Sequence, residues 1–150
     1  MVRGEVTRVR PADPEDAQVL HEIAAAAFHD PWPASDFAAA AADSGLLLLV
    51  AVRDGDPAGY IYMRLLDPEV EIYSLAVRPE TRRKGVGHAL VSRALEICRD
   101  RGMERIFLEV RDSNAPAVAL YAALGFVPVG RRKGYYSNPT EDAILMAADV

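Results

Sequence analysis

Residues 71–100 read E-I-Y-S-L-A-V-R-P-E-T-R-R-K-G-V-G-H-A-L-V-S-R-A-L-E-I-C-R-D. Glu71–Val77 is a short run rich in β-branched and aromatic residues, which suits a half-buried strand. Pro79 and Thr81 interrupt it, and from Gly85 the apolar residues take helical spacing at Val86, Leu90, Ala94, Ile97 and Cys98. A strand therefore runs into a turn, and the turn opens a helix. Gly85 and Gly87 sit at that junction with four cations, Arg78, Arg82, Arg83 and Lys84. Glycines let a backbone approach an anion closely, and the first amides of a helix have no internal partner. With the positive end of the helix dipole, such amides suit a phosphate. The competing reading is an arginine-rich surface turn that binds nothing.

Upstream of this stretch, Val6–Arg10 alternates and predicts a first strand. Asp13 offers an N-cap, Pro14 suits the first helical position, and Asp16 completes a capping-box-like pattern for a helix to about Phe28. His29-Asp30-Pro31-Trp32-Pro33 cannot be helical, and a second helix is expected over Ala34–Ala42, ended by Gly45. Leu46–Arg53 is continuously apolar, as a strand buried on both faces would be. Asp54-Gly55-Asp56 signals a hairpin turn to a strand at Ala58–Leu66, and Asp67-Pro68 turns the chain again toward Val77. Short connections force antiparallel neighbours. Downstream, the Gly85–Arg101 helix stops at Gly102 and leads to a strand at Arg105–Val110. A helical crossover makes that strand parallel to the one ending at Val77. A short helix then ends at Gly125, and V-P-V-G-R-R-K-G-Y-Y starts a last hairpin. The expected fold is α/β (α+β): a single domain over residues 1–150, with a mixed, mostly antiparallel sheet flanked by helices.

Composition narrows the function. The chain has 150 residues, 51% hydrophobic and 26% charged, which is the make-up of a soluble globular domain. A net charge of −5 argues against general nucleic-acid binding. The cations bunch at residues 78–84 and 131–133, which suits a small anion or an acidic partner surface. One cysteine, Cys98, excludes an internal disulfide and fits a reducing compartment. The polar N-terminus M-V-R-G-E-V-T-R-V-R is no signal peptide, and the apolar run Leu46–Val52 is too short to span a bilayer. The expectation is a cytoplasmic protein with no membrane partner. The histidines show no metal-ligand spacing, so no metal is expected, and His21 and His29 read as surface or packing residues.

The phosphate loop is neither G-x-x-x-x-G-K-[ST] nor G-x-G-x-x-G, since Leu90 stands where the third glycine would be. It matches R-x-x-G-x-G, as Arg82-x-x-Gly85-x-Gly87 after a strand ending Leu75-Ala76-Val77. That arrangement resembles the pyrophosphate loop of the GNAT (GCN5-related) N-acetyltransferases, which hold acetyl-coenzyme A there. Further on, L-E-V-R-x-S-N-x-x-A-x-x-L-Y-x-x-L-G-F is followed by R-K-G-Y-Y and E-D-A-x-x-M. These motifs resemble the ribosomal-protein alanine N-acetyltransferase branch and its archaeal relatives, which acetylate protein N-termini. Pro31-Trp32 resembles the P-W before the second helix of the bacterial branch. The resemblance runs from Arg8 to Ala147 and is most specific from Glu69 to Met146. It implies a sheet of about seven strands whose central parallel pair splays, about four helices, and pantetheine lying in the gap.

The resemblance also implies site residues. Leu75, Ala76, Val77, Arg82, Arg83, Lys84, Gly85, Val86, Gly87 and His88 would hold the cofactor, joined by Asn114 and Tyr121. Acetyl transfer needs an amine to lose a proton, attack a thioester and expel a thiolate that takes a proton back. Glu109 matches the family's general base, its alternative being a salt bridge to Arg111 or Arg105. Glu69 and Glu71 are runners-up that would orient water or the substrate's amino group. Tyr121 matches the general acid, since a phenol is neutral at pH 7, its alternative being a packing tyrosine. Backbone amides around Leu75–Val77 would polarise the thioester oxygen. Cys98 lies on an apolar stripe and reads as core.

Trp32 and Phe37 either anchor the helical pair or wall a substrate groove. In protein N-terminal acetyltransferases the last hairpin closes one side of that groove, so Tyr135 and Tyr136 would touch the peptide; otherwise they cover a sheet edge. Arg131, Arg132 and Lys133 either attract an acidic substrate or solubilise the hairpin. The function expected is acetylation of a protein N-terminus, that of a ribosomal protein. Lysine or small-amine acetylation and a non-catalytic acetyl-CoA sensor are the alternatives.

Overall fold

The computed structural model describes residues 7–43 and 46–150. Strands β1 (Thr7–Pro11), β2 (Leu46–Arg53), β3 (Asp56–Leu66), β4 (Glu69–Val77), β5 (Arg105–Arg111), β6 (Val127–Tyr136) and β7 (Glu141–Asp149) form one sheet. Their order is β1-β2-β3-β4-β5-β7-β6. Only β4 and β5 pair in parallel, joined by helix α3 (Val86–Asp100). Helices α1 (Ala17–Ala27), α2 (Ala34–Ala42) and α4 (Ala115–Ala123) complete the fold. The mixed sheet expected from the connections is the one observed.

The unbroken apolar run of β2 has a direct cause, because each face of the sheet carries its own core. Leu47, Leu49 and Ala51 pack with α3 residues Val86, Leu90, Val91 and Cys98. Leu48 and Val50 point the other way, among Leu20 and Ile23 of α1 and Phe37 of α2. Each large aliphatic side chain so buried contributes about 1.5–3 kcal/mol. Cys98 is a buried free thiol, and burial raises its pKa, as a core residue requires. Phe37 is an anchor, 1% exposed.

Local signals mostly set the boundaries. Asp54 and Gly55 take φ of 50° and 80°, the double positive φ of a tight hairpin turn. Asp13 and Asp16 form the capping box, but around a 3-10 turn at Pro14–Asp16 that precedes α1. Arg10 grips the Asp16 carboxylate through two hydrogen bonds of 2.8 and 2.9 Å, so the first strand and first helix are tied at their junction. Thr7–Pro11 replaces the expected Val6–Arg10, and Val6 and Gly45 lie outside the described residues. Gly85 is the N-cap of α3 at φ 79°, with nothing within 4 Å of a Cβ built there. Its need is for backbone conformation, not for space.

The site is positioned by what happens midway along β4. The parallel ladder pairs Glu69–Ile72 with Arg105–Leu108 and then stops. On the other side of β4, Tyr62 pairs with Ser74 and Met63 with Ile72, leaving Tyr73 as an extra residue. A bulge of this kind bends its strand and re-aims the side chains beyond it. From Tyr73 onward β4 and β5 part.

Candidate active site

Where the strands part, a cleft of about 920 Å³ opens, lined from β4 by Glu71–Leu75 and from β5 by Leu108–Arg111. Leu108 and Val110 point into the α3/α4 core, so Glu109 and Arg111 point to the opposite face. Tyr121 of α4 belongs to the α3/α4 core, yet it also lines the cleft. Glu109 and Tyr121 therefore approach from opposite faces of the sheet. In a closed sheet they would be separated by a layer of backbone. Here they share one cleft.

Their surroundings differ in kind. Tyr121 is 4% exposed and packs edge-on against Phe126, with ring centroids 5.3 Å apart. Burial, and less so Tyr136, pushes its phenol pKa well above the usual tyrosine range. The group stays protonated at neutral pH, as a proton donor must. The Glu109 side chain is 16% exposed, and its carboxylate meets Arg132 Nε of β6 at 3.2 Å. Tyr135 also faces it: hydrogen bonding to Glu109, then that carboxylate's charge, raises the Tyr135 pKa.

Neither ion-pair partner expected for Glu109 is the one found. Arg105 pairs instead with Glu69 at 3.5 Å, and Arg111 holds the carbonyls of Ser137 and Pro139 at 2.8 and 3.1 Å. Glu69 stands opposite Arg105 in register, four residues before Glu109 along β5, or about 13 Å at the usual strand rise. It does not line the cleft, whereas Glu71 does.

Part of the cleft wall is aromatic. Trp32 lines the cleft and lies 4.6 Å from Tyr62 and 5.8 Å from Tyr73, ring centre to ring centre. It is wall and anchor at once. His21 Nδ1 meets the Trp32 carbonyl at 2.6 Å and fixes that segment. Opposite stand Tyr135 and Tyr136, at right angles and 5.0 Å apart. Arg111 stacks on Tyr136, while Glu141 takes the Ser113 hydroxyl and N–H, at 2.7 and 2.9 Å to the same carboxylate oxygen. The turn after Tyr136 is thus clasped to the end of β5. A hydroxyl pair missed in the sequence, Tyr60 with Ser74 at 2.8 Å, also lines the cleft.

At the entry to α3, the first bond within the helix runs from Ala89 N–H to Gly85 O at 2.9 Å. The amides of Val86, Gly87 and His88 therefore have no intrahelical acceptor. Arg82, Arg83 and Lys84 are exposed around them, and Arg83 adopts φ 64° without being glycine. The preceding turn is pinned to β3: Arg78 donates its N–H to Ala58 O at 2.7 Å and its Nε to Pro57 O at 2.7 Å. Strand alternation then turns the amides of Ala76 and Ser74 toward β3, and those of Leu75 and Val77 toward the gap. Asn114 lines the cleft while capping α4, its Oδ1 accepting from Ala117 N–H at 3.2 Å. Among the described residues no group of three His, Cys, Asp or Glu side chains could hold a metal ion. No helix among them is long and apolar enough to cross a membrane.

The sheet is mixed, its parallel pair parts midway, and a carboxylate and a phenol share the gap. Residues 17–126 match the Acetyltransferase (GNAT) family, and the chain belongs to it. It is 32% identical over 137 residues to the ribosomal protein bS18-alanine N-acetyltransferase of Escherichia coli (strain K12), covering 90% of this chain and 92% of that protein. It is 34% identical over 158 residues to the N-alpha-acetyltransferase of Saccharolobus solfataricus, covering 97% and 94%. The crystal structure of the ribosomal-protein-S18-alanine N-acetyltransferase from Escherichia coli superposes with a TM-score of 0.88 at 30% identity, covering 97% of this chain and 94% of that one.

Proposed function

We propose that this protein acetylates the N-terminal α-amino group of a protein, of the ribosomal-protein alanine kind, with acetyl-CoA as donor. One observation carries the reading: a carboxylate and a protonated phenol enter one cleft from opposite faces of the sheet. The names of the bacterial and archaeal relatives support the same acceptor class. All of this work is done by one domain, and the enzyme is cytoplasmic.

The residues present fit the donor. The free amides of Val86, Gly87 and His88, ringed by Arg82, Arg83 and Lys84, suit its pyrophosphate. Acetyl-CoA supplies an activated acetyl group: the amine nitrogen attacks its carbonyl carbon and the carbon–sulfur bond breaks. Glu109 takes the proton that the attacking nitrogen must lose. Tyr121 gives a proton to the departing sulfur. The Leu75 and Val77 amides face the gap, where they would stabilise charge developing on the carbonyl oxygen. Trp32, Glu71, Tyr135 and Tyr136 hold the first residues of the peptide, Glu71 by orienting the amino group. One ammonium proton is released overall. An α-amino group, with a pKa near 8, is partly neutral at pH 7; a lysine amine near 10.4 is not.

The test is coenzyme A release across peptides that differ only at their first residue, with an N-terminally blocked, lysine-bearing control. The expected result is turnover that depends on the first residue and none with the blocked peptide. Equal turnover of the blocked peptide would assign the enzyme to lysine side chains. Binding of acetyl-CoA without turnover of any amine would make it a sensor.

A further inference from the structure

The two adjacent arginines of β6 are held very differently. Arg131 lies between two carboxylates, Asp112 at 2.9 Å and Asp142 at 3.0 Å. Arg132 has one ion-pair partner among the described residues, Glu109, and its side chain is 56% exposed against 16% for that glutamate. Beyond Arg132 the β6–β7 pairing is irregular until Tyr136. The Arg132 guanidinium also lies 5.5 Å over the ring of Tyr135. A cation can rest on that face when it leaves the carboxylate.

The carboxylate it occupies is the one the acceptor amine must reach. Any incoming N-terminus is mostly an ammonium at neutral pH and competes with the guanidinium for the same oxygens. We propose that Arg132 is a positioning and specificity residue: its guanidinium caps Glu109 in the free enzyme and yields to the acceptor's ammonium, swinging onto Tyr135. This rests on the acetyltransferase reading of the cleft. The cap selects for acceptors with a cationic amine at their very tip, because only a second cation exchanges without stranding the carboxylate. An uncharged nucleophile would have to separate the pair and leave Glu109 unpaired.

The groups facing Glu109 are Arg132, Tyr135 and Tyr136 from β6, Arg111 along β5, and Glu71 and Tyr73 from β4. Of the two cations among them, Arg111 is committed to the Ser137–Pro139 carbonyls, so Arg132 is the one that departs. Removing it removes the competitor for the acceptor's ammonium.

Arg132→Gln and Arg132→Lys test this on the full chain with an alanine-first peptide in steady state. Arg132→Gln is expected to lower the peptide KM several-fold without a matching rise in kcat, with acetyl-CoA affinity unchanged. Arg132→Lys, which keeps charge but not the fork or the stack, should lower KM by less. If Arg132→Gln does not fold, the lysine variant carries the test alone. A raised or unchanged KM makes Arg132 a support of the hairpin and overturns the proposal. Wild-type turnover in the same assay separates that failure from a failure of the enzyme reading, which would show as no coenzyme A release at all.

Discussion

The first and second halves of the β4–β5 pair share the same two strands and behave as different objects. In the first half, Glu69–Ile72 and Arg105–Leu108 are hydrogen-bonded in register, with Val70, Ile106 and Leu108 buried below. In the second half, from the Tyr73 bulge onward, the strands part and line a cleft with Ser74, Glu109, Trp32 and Tyr121. Each strand half obeys its alternation. Only in the open half can side chains from both faces meet. The sheet therefore keeps its strength where it is closed, and the proposed chemistry falls where it is not.

The largest effects should fall in the open half. Glu109→Gln keeps shape and removes a base, so single-turnover acetylation should drop by ~10²–10⁴-fold. That deficit should shrink as pH rises, because more amine is then neutral unaided. Tyr121→Phe keeps the ring on Phe126 and removes the donor, with a loss of similar size that rising pH does not repair. Wild-type rates for both variants across pH 6–9 would show that the open half holds no chemistry. The closed half should answer in stability instead. Ile106→Ala leaves a void at a fully buried site and should cost about 2–5 kcal/mol in denaturant unfolding, while the folded fraction keeps its rate.

The sequence and the structure agree best where local chemistry decides. The capping box at Asp13, the Asp54-Gly55 turn, the two-faced run of β2 and the glycine entry to α3 follow from short-range rules, and they appear within a residue or two of expectation. The parallel pair was also legible, since a helical crossover permits little else. The bulge at Tyr73 was not: an extra residue shows only in the register against β3, which E-I-Y-S-L-A-V does not encode locally. Glu109's partner was missed for a related reason. Arg105 and Arg111 are near in sequence, whereas Arg132 reaches Glu109 from two strands away, across β7. Glu69 looked equivalent to Glu71 in sequence, but the strands part just beyond Glu71.

Alkali should sharpen the contrast further. Burial raises the Tyr60 phenol to about 12, opposed in part by Ser74. Because the folded pKa lies above the unfolded value near 10, its share of stability is intact below pH 10 and is lost as pH climbs toward 12. Burial raises Tyr136 to about 12 as well, and Tyr121 moves the same way. All three line the open half. Tyr60→Phe should flatten the alkaline decline by about 3 kcal/mol between pH 9 and 12, read as thermal midpoints against tyrosinate absorbance. An unchanged slope would mean the site is wetter than its packing indicates.

The smallest effects compare neighbours on one strand face. Glu71→Gln, inside the cleft, should raise the peptide KM by about tenfold, the loss expected for a hydrogen bond to a charged group. Glu69→Gln, in the closed half, should leave KM and kcat unaltered and cost less than about 1 kcal/mol, as exposed ion pairs do. A deficit at Glu69 equal to that at Glu71 would erase the boundary between the halves.

Gly87 binds these regions together in a way that reaches past phosphate contact. A Cβ built there would stand 3.1 Å from Leu120 Cδ2, tighter than ordinary packing, and Leu120 directly precedes Tyr121. Helices α3 and α4 thus meet on a common bearing with little clearance. On the proposed reading, enlarging that bearing would disturb the proton donor as well as the pyrophosphate contact. Donor affinity and proton delivery would then answer together to a single hydrogen atom, the side chain of Gly87.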